Sequence, residues 1–247
     1  LKGAFLLDSH FIAYMYRLRY IERWSLMRNT TRENVAEHSY HVALLAHMLC
    51  EIGNRIFGRS LNADRAATMA LFHDATEVFT GDIPTPVKHH NPKMLTNFRE
   101  IEALAAERLL DMVPGTLQPS YESLVLGPAA KHRRNRAQAA EHRGESDLSA
   151  AAEQSDREGF AGLAEDAAVP TSSDDEHDLL KMLKAADLLD AYIKCLSELS
   201  SGNREFAVAK KQTEDTLARL AIPEVDWFLE HMAPSFSKTL DELSEND

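Results

Sequence analysis

The chain has 247 residues, 44% of them hydrophobic, and a net charge of −12 at pH 7. That length supports one large core or two small domains, and the acidity argues against broad nucleic-acid binding. No apolar run approaches the roughly 18 residues of a membrane span, and the N-terminal apolar stretch at Leu1–Leu7 is too short for a secretory signal.

Taken in chain order, the periodicity predicts helices throughout and no alternating strand. Residues 8–22 set Phe11, Ile12, Met15, Leu18 and Ile21 near a helical period, with Asp8 as N-cap. Residues 35–57 repeat the pattern with Val42, Leu45, Leu49, Ile52 and Ile56, ending at Gly58. Asn62 caps a helix that runs to about Phe79 and is stopped by Gly81 and Pro84. Pro92 suits the first turn of a helix reaching Val113, which Pro114-Gly115 ends. Leu179, Leu180, Leu183, Leu188, Ile193 and Leu196 define a helix over 179–200, and further helices are expected at 203–220, 224–232 and 236–243. Cys50 and Cys195 both fall inside helical patterns and read as buried, reduced thiols of a cytoplasmic protein.

One stretch differs. Residues 127–178 hold 12 alanines, 1 aromatic residue, 6 Lys+Arg and 12 Asp+Glu, so half of the net charge sits where little of a core can form. The expected organisation is one domain built from 1–126 and 179–247, interrupted by an acidic, Ala-rich insertion at 127–178 that is partly helical or disordered. Its basic cluster Lys131-His132-Arg133-Arg134-Asn135-Arg136 reads as a solvated patch.

The chemistry concentrates at His73 and Asp74, in Ala70-Leu71-Phe72-His73-Asp74-Ala75-Thr76-Glu77. An imidazole and a carboxylate beside an apolar helical run are costly to bury without a partner, and a divalent metal is a suitable one. His38 upstream and Asp187 downstream complete the ordered set H…HD…D, whose usual chemistry is metal-assisted phosphoester hydrolysis. Neighbours on a helix point about 100° apart, so His73 and Asp74 share an ion only near a helix edge. His38 and Asp187 must come from other helices of a bundle. Histidine with carboxylate suits Co, Mn, Zn or Fe, and without clustered cysteines a structural zinc site is disfavoured. His41, one turn after His38, is an equal candidate on residue grounds alone.

Several longer motifs stand in the same order: Arg23-Trp24-Ser25-Leu26-Met27-Arg28-Asn29, Glu33-Asn34-Val35-Ala36-Glu37-His38-Ser39, His73-Asp74-Ala75-Thr76-Glu77-Val78 and Thr80-Gly81-Asp82-Ile83-Pro84-Thr85-Pro86-Val87-Lys88. Lys184-Ala185-Ala186-Asp187, Gly202-Asn203-Arg204-Glu205-Phe206 and Pro234-Ser235-Phe236 follow. Together these resemble the bacterial HD-domain 5′-deoxynucleotidases over nearly all of the chain except 127–178, a link longer than the family's usual one. The resemblance implies an all-α fold, a single HD-type helical bundle domain with a long internal insertion, and a homodimer. It implies His38, His73, Asp74 and Asp187 as ligands of one divalent transition metal, His38 rather than His41, with His38 and Asp74 also touching substrate.

The implied reaction is hydrolysis of a deoxyribonucleoside 5′-monophosphate to deoxynucleoside and phosphate. Glu77, three residues after Asp74, would assist proton transfer from water. Arg23 would grip phosphate oxygens and offset the charge that develops in the reaction, and Trp24 would offer a flat wall to sugar or base. The stiff segment Asp82-Ile83-Pro84-Thr85 would lie against the sugar, Asp82 accepting from the 3′-hydroxyl, and close packing there would exclude a 2′-hydroxyl. His89 and His90 read as solvated. A small-molecule nucleotide is thus the expected partner, with neither a nucleic-acid polymer nor a membrane. The rivals are an HD phosphohydrolase acting on a dNTP, cyclic nucleotide or alarmone, and a non-catalytic nucleotide sensor. Extra phosphates need extra cations, and only Arg28, Arg32 and Lys88 stand near the motifs; a sensor would have little use for both Glu77 and Arg23.

Overall fold

The computed structural model describes residues 9–88, 90–127, 134 and 173–244. Most of the 127–178 insertion, the Asp8 cap and His89 therefore lie outside the described residues. Among those described, the chain is helical and its strand-like pairing is a lone antiparallel bridge between Glu22 and Asn34.

Eleven α-helices are described: α1 (Phe11–Met15), α2 (Val35–Arg55), α3 (Ala63–Phe72), α4 (Glu77–Thr80), α5 (Thr85–Lys88), α6 (Pro92–Asp111), α7 (Gln118–Val125), α8 (Ser173–Ser200), α9 (Ala207–Leu220), α10 (Pro223–His231) and α11 (Leu240–Ser244). Short 3-10 segments at Tyr16–Tyr20, Arg204–Phe206 and Ala233–Ser237 join them. Asparagines start three of the helices: Asn34 accepts from the Glu37 N–H, Asn62 from Arg65 and Asn91 from Met94. Each such cap stabilises its helix by about 1 kcal/mol. Pro92 occupies the first turn of α6, where its missing N–H costs nothing.

α2 is the central helix. It buries Val42, Leu45, Ala46, Leu49 and Ile52 against Ala63, Ala66, Met69 and Ala70 of α3 and Leu179, Met182, Ala185, Ala186 and Leu189 of α8. The alanines on the facing helices let the backbones approach closely. A second cluster joins Phe11 of α1, Ala75, Ala103, Ala106, Leu109 and Leu110 of α6, and Val125 of α7. Ala70 belongs to the first cluster and Ala75 to the second, so His73 and Asp74 sit at the seam between two cores.

Several elements depart from the expected pattern. The helix expected over 8–22 is α1 followed by the 3-10 segment, capped at His10, and it ends because Ile21 turns extended to accept the Val35 N–H at 3.0 Å. The helix expected from Asn62 to Phe79 breaks after Phe72. From His73 to Phe79 the backbone bonds run to the third residue back, as in Ala75 to Phe72 (3.1 Å), Glu77 to Asp74 (3.0 Å) and Phe79 to Thr76 (3.0 Å). The HD pair is therefore not inside a helix but on a tightened turn that closes one. Three residues per turn also stack Asp74 above Glu77. The sequence pattern predicts neither α7, which follows Pro114-Gly115 and carries Pro119 in its first turn, nor α5, which contains Pro86. α8 begins at Ser173, within the range assigned to the insertion, and Asp178 is tied to Arg59 at 2.6 Å. Cys50 and Cys195 are free and buried, and burial pushes both thiols up to about 12.

Candidate active site

His38 lies in the first turns of α2 and is wholly buried. Its Nδ1 stands 2.6 Å from Asp190 Oδ2, so the Nδ1–H donates to that carboxylate and Nε2 carries the lone pair. His73 caps the end of α3, and its Nδ1 makes a 2.7 Å hydrogen bond to the Ala70 carbonyl, which fixes the same tautomer. The two Nε2 atoms face one point. His38 Nε2 is 3.4 Å from Asp74 Oδ2 and 3.4 Å from Asp187 Oδ1, and His73 Nε2 is 3.2 Å from Asp74 Oδ2. Both Nε2 atoms are buried without a hydrogen-bond partner.

That arrangement is unfavourable by itself, since lone pairs and carboxylate oxygens crowd together out of water. A cation resolves it. Donors bound at about 2.0–2.2 Å around a common ion stand roughly 3 Å apart, close to the separations found. Second partners hold the donors: Asp190 orients His38, the Ala70 carbonyl orients His73, and Lys184 Nζ holds Asp187 Oδ2 at 2.8 Å. His41, by contrast, is half exposed and reaches only Asp190, at 3.6 Å, so it stands outside the cluster.

The Arg23 guanidinium faces the cluster from the loop 21–34. That loop is closed by the Arg23 N–H on the Glu33 carbonyl, 2.9 Å, and its side chain lies 3.2 Å from Glu33 Oε1 and 3.8 Å from Asp190 Oδ2. Burial opposes its charge, but Glu33, Asp187, Asp74 and Asp190 more than offset this and hold its pKa above the ordinary guanidinium value. Nη1 still has no hydrogen-bond partner. Trp24 follows at φ 55, a left-handed conformation unusual for a bulky residue. Its carbonyl accepts from Met27 N–H and Asn29 Nδ2, and its ring sits 5.5 Å from that of Phe206.

Glu77 is 7% exposed, with Oε2 unpartnered and Lys88 Nζ 3.7 Å from Oε1. Burial, then Asp74 and Asp82, push its carboxyl up to about 9 against the pull of Lys88 and Arg23. Asp82 is likewise raised by burial, despite Arg23, Lys88 and the nearby Trp24 backbone. Gly81 permits this placement: its φ of 71 with ψ of 170 is open only to glycine. Ile83, Pro84 and Thr85 stand at one remove, in the connection from Asp82 into α5. A cavity of about 450 Å³ opens beside Asp74 and Glu77, walled by Lys88, Arg99 and Glu102 and floored by Ala103, Ala106 and Val125.

Arg23, Trp24, His38, His73, Asp74, Glu77, Asp82 and Asp187 thus converge from separate elements. Sequence reasoning missed Asp190 and Glu33. Asp190 lies one turn after Asp187 among leucines, and an acid in such a run is a signal that could have exposed it.

A family model for YfbR-like 5′-deoxynucleotidases matches residues 10–141 and 134–236. A 5′-deoxynucleotidase of Vibrio vulnificus is 39% identical over 237 residues, covering 96% of this chain and 99% of that one. The chain belongs to the YfbR-like 5′-deoxynucleotidase family. A second member, a 5′-deoxynucleotidase of Yersinia pseudotuberculosis, is 42% identical over 240 residues, 96% of this chain and 97% of that one. Among solved structures, an HD-domain phosphohydrolase of Listeria innocua superposes with a TM-score of 0.64 at 22% identity, over 96% of this chain and 90% of that one. The HD phosphohydrolase of cyanophage S-2L, bound to dA and one catalytic Zn2+ ion, gives 0.52 at 14% identity, over 90% and 96%. At those identities the two structures bear on the family's all-α HD fold, which this chain shares. No helix among the described residues is long and apolar enough to cross a membrane.

Proposed function

We propose that the protein is a metal-dependent 5′-deoxynucleotidase, hydrolysing deoxyribonucleoside 5′-monophosphates to deoxynucleoside and phosphate. The observation that carries this reading is the pair of buried, unpartnered Nε2 atoms of His38 and His73 facing Asp74 and Asp187, with Arg23 and Glu77 around the same point. The curated relatives named above share that activity by name over nearly the whole chain.

His38, His73, Asp74 and Asp187 would hold one divalent ion, of Co, Mn, Zn or Fe. Such an ion supplies Lewis acidity toward the phosphoryl group and makes water acidic enough to ionise near neutral pH. Arg23, ion-paired with Glu33 but with no hydrogen-bond partner on Nη1, binds the phosphate and offsets the charge that develops as the P–O bond breaks. Glu77 accepts a proton from the attacking water. A cation held at the ligand cluster would draw this raised pKa, about 9 in the metal-free protein, back toward neutrality, where a general base works best. Asp82 accepts from the 3′-hydroxyl of the sugar, while Trp24 and the Asp82–Thr85 segment close over its 2′ carbon and leave no room for a hydroxyl. Little discrimination among bases is expected.

A homodimer and a cytoplasmic location belong to the same reading. Tyr40, Leu44 and Met48 form an exposed apolar stripe along α2 that suits self-association, which sedimentation equilibrium tests.

Phosphate release from a panel of dNMPs, NMPs and dNTPs, after metal removal and readdition of Mn, Co, Mg or Zn, tests the function. Metal-dependent release from dNMPs well above NMPs, lost in Glu77→Ala, is the expected result. Nucleotide binding without release from any substrate would move the protein to the sensor class.

A further inference from the structure

The motif Gly202-Asn203-Arg204-Glu205-Phe206 supplies none of the groups given a chemical role above, yet it lies under the loop that carries Arg23 and Trp24, with Phe206 against the Trp24 ring. The base of that loop is tied by the Glu22–Asn34 bridge, and its far end is tied to α8. The centre of the tie is Glu198, 2% exposed. Its carboxylate accepts the Thr30 N–H at 2.8 Å, the Thr31 N–H at 3.1 Å, Asn203 Nδ2 at 2.8 Å and Lys194 Nζ at 2.5 Å. Lys194 also donates to the Thr31 carbonyl and stands over the Phe206 ring. Asn203 donates to the Arg28 carbonyl at 2.7 Å, and Glu205 accepts from both the Arg28 N–H and its Nε.

The consequence falls on Trp24. A tryptophan does not hold a left-handed backbone unaided, and such conformations persist where surrounding contacts over-determine them. Here the turn after Trp24 is pinned at Arg28, Thr30 and Thr31, and Phe206, next to the clamp, backs the indole ring. The Trp24 backbone in turn stands close enough to Asp82 to favour its charged form. The ligand cluster does not depend on these ties, since His38, His73 and Asp187 are oriented by Asp190, Ala70 and Lys184.

We propose that Glu198, with Lys194 and Asn203, is a positioning unit that holds Trp24 against Asp82 and so sets the discrimination between deoxyribose and ribose. The proposal rests on the deoxynucleotidase reading. Glu198→Gln keeps the side chain's size and removes its charge, and Asn203→Ala removes the tie to Arg28. Each is expected to raise KM for dNMPs and lower the dNMP-to-NMP ratio of kcat/KM by roughly tenfold, about the effect of one hydrogen bond to a charged group. kcat for dNMPs and the affinity for Mn or Co, measured by chelator competition, should hold within about threefold. Glu198→Asp should restore part of the ratio. An unchanged sugar ratio in both variants, or a loss of metal affinity in step with kcat, overturns the proposal.

A second readout does not use turnover. In a Trp227→Phe background the remaining indole is Trp24, and its fluorescence should shift to a wetter environment in Glu198→Gln. A wild-type protein with no activity on any dNMP would sink the functional reading and the selectivity claim together. An unshifted Trp24 spectrum would sink the positioning claim whatever the activity.

Discussion

Asp190 and Glu198 lie on one face of α8, with Asp187 at one end and Lys194 between them, and both are buried. Their surroundings are opposite. Burial alone would raise the pKa of Glu198, but hydrogen bonds from Lys194, Asn203, Thr30 and Thr31 hold it well below the usual carboxylate range. Asp190 takes one short hydrogen bond from His38 and has Arg23 no nearer than 3.8 Å, so burial, with Asp187 nearby, pushes it up to about 6. One end of the helix face is fully satisfied and fixes a loop. The other end is left short of positive charge, beside two imidazoles whose Nε2 atoms have no hydrogen-bond partner. A buried polar network stabilises when every member is paired. The unpaired end is tolerable where something else supplies the missing charge, and this is the physical content of the proposed metal centre.

The largest effect expected is at the unsatisfied end. Asp74→Ala removes the carboxylate that both Nε2 atoms face. Phosphate release from dNMPs should fall to background and metal affinity with it, while far-UV circular dichroism stays helical; retained turnover would break the contrast between the two ends. Asp190→Asn should act one step further out. It keeps the shape but no longer draws the His38 Nδ1 proton, so metal affinity should fall about 10–100-fold, read by chelator competition. At the satisfied end the effect is on the fold. Glu198→Gln should cost about 1–3 kcal/mol in urea unfolding. Because the folded pKa of Glu198 is depressed, that stabilisation is present above its ordinary pKa of 4.5 and is lost as the pH falls below it. A wild-type and variant gap that persists unchanged at pH 3 would contradict the assignment.

The same helix face shows what a sequence can and cannot say. The helices α2 and α8 are legible because leucine, valine and isoleucine recur at helical spacing, and α6 because Pro92 suits a first turn and Pro114-Gly115 a stop. His73 and Asp74 stand out because an imidazole and a carboxylate beside an apolar run need a partner, whereas the choice of His38 over His41 comes only with the family resemblance. Asp190, Lys194 and Glu198 do not stand out. A charged residue in a helix reads as solvated face; packing by the loop at residues 28–31 puts Lys194 and Glu198 inside, and His38 and Arg23 cover Asp190. The break after Phe72 was equally hidden. The pattern 62–79 is apolar enough for one helix, but the His73 imidazole takes the Ala70 carbonyl and the turn tightens to place two cores on either side. Local propensity lost there to a tertiary requirement, at the residues proposed to hold the metal.

Glu77 offers the finest test of the unsatisfied end, because its pH dependence has the opposite sign to that of Glu198. In the metal-free protein its carboxyl is pushed up to about 9 from an ordinary 4.5, so the folded chain keeps a proton that the unfolded chain has released. Stability from this group is present below pH 4.5 and is lost as the pH rises toward 9. Glu33, raised to about 7, and Asp190, raised to about 6, add to the same trend. Glu77→Gln removes one titration from the sum. It should stabilise the metal-free protein by about 1 kcal/mol at pH 8 and by little at pH 5, while abolishing phosphate release. Adding Mn or Co to the wild-type protein should narrow the pH 8 gap, since a cation at the cluster favours the ionised carboxylate. Equal stabilities of the two proteins at both pH values would mean that Glu77 is not held short of charge. The residue proposed as the base would then be an ordinary helix glutamate.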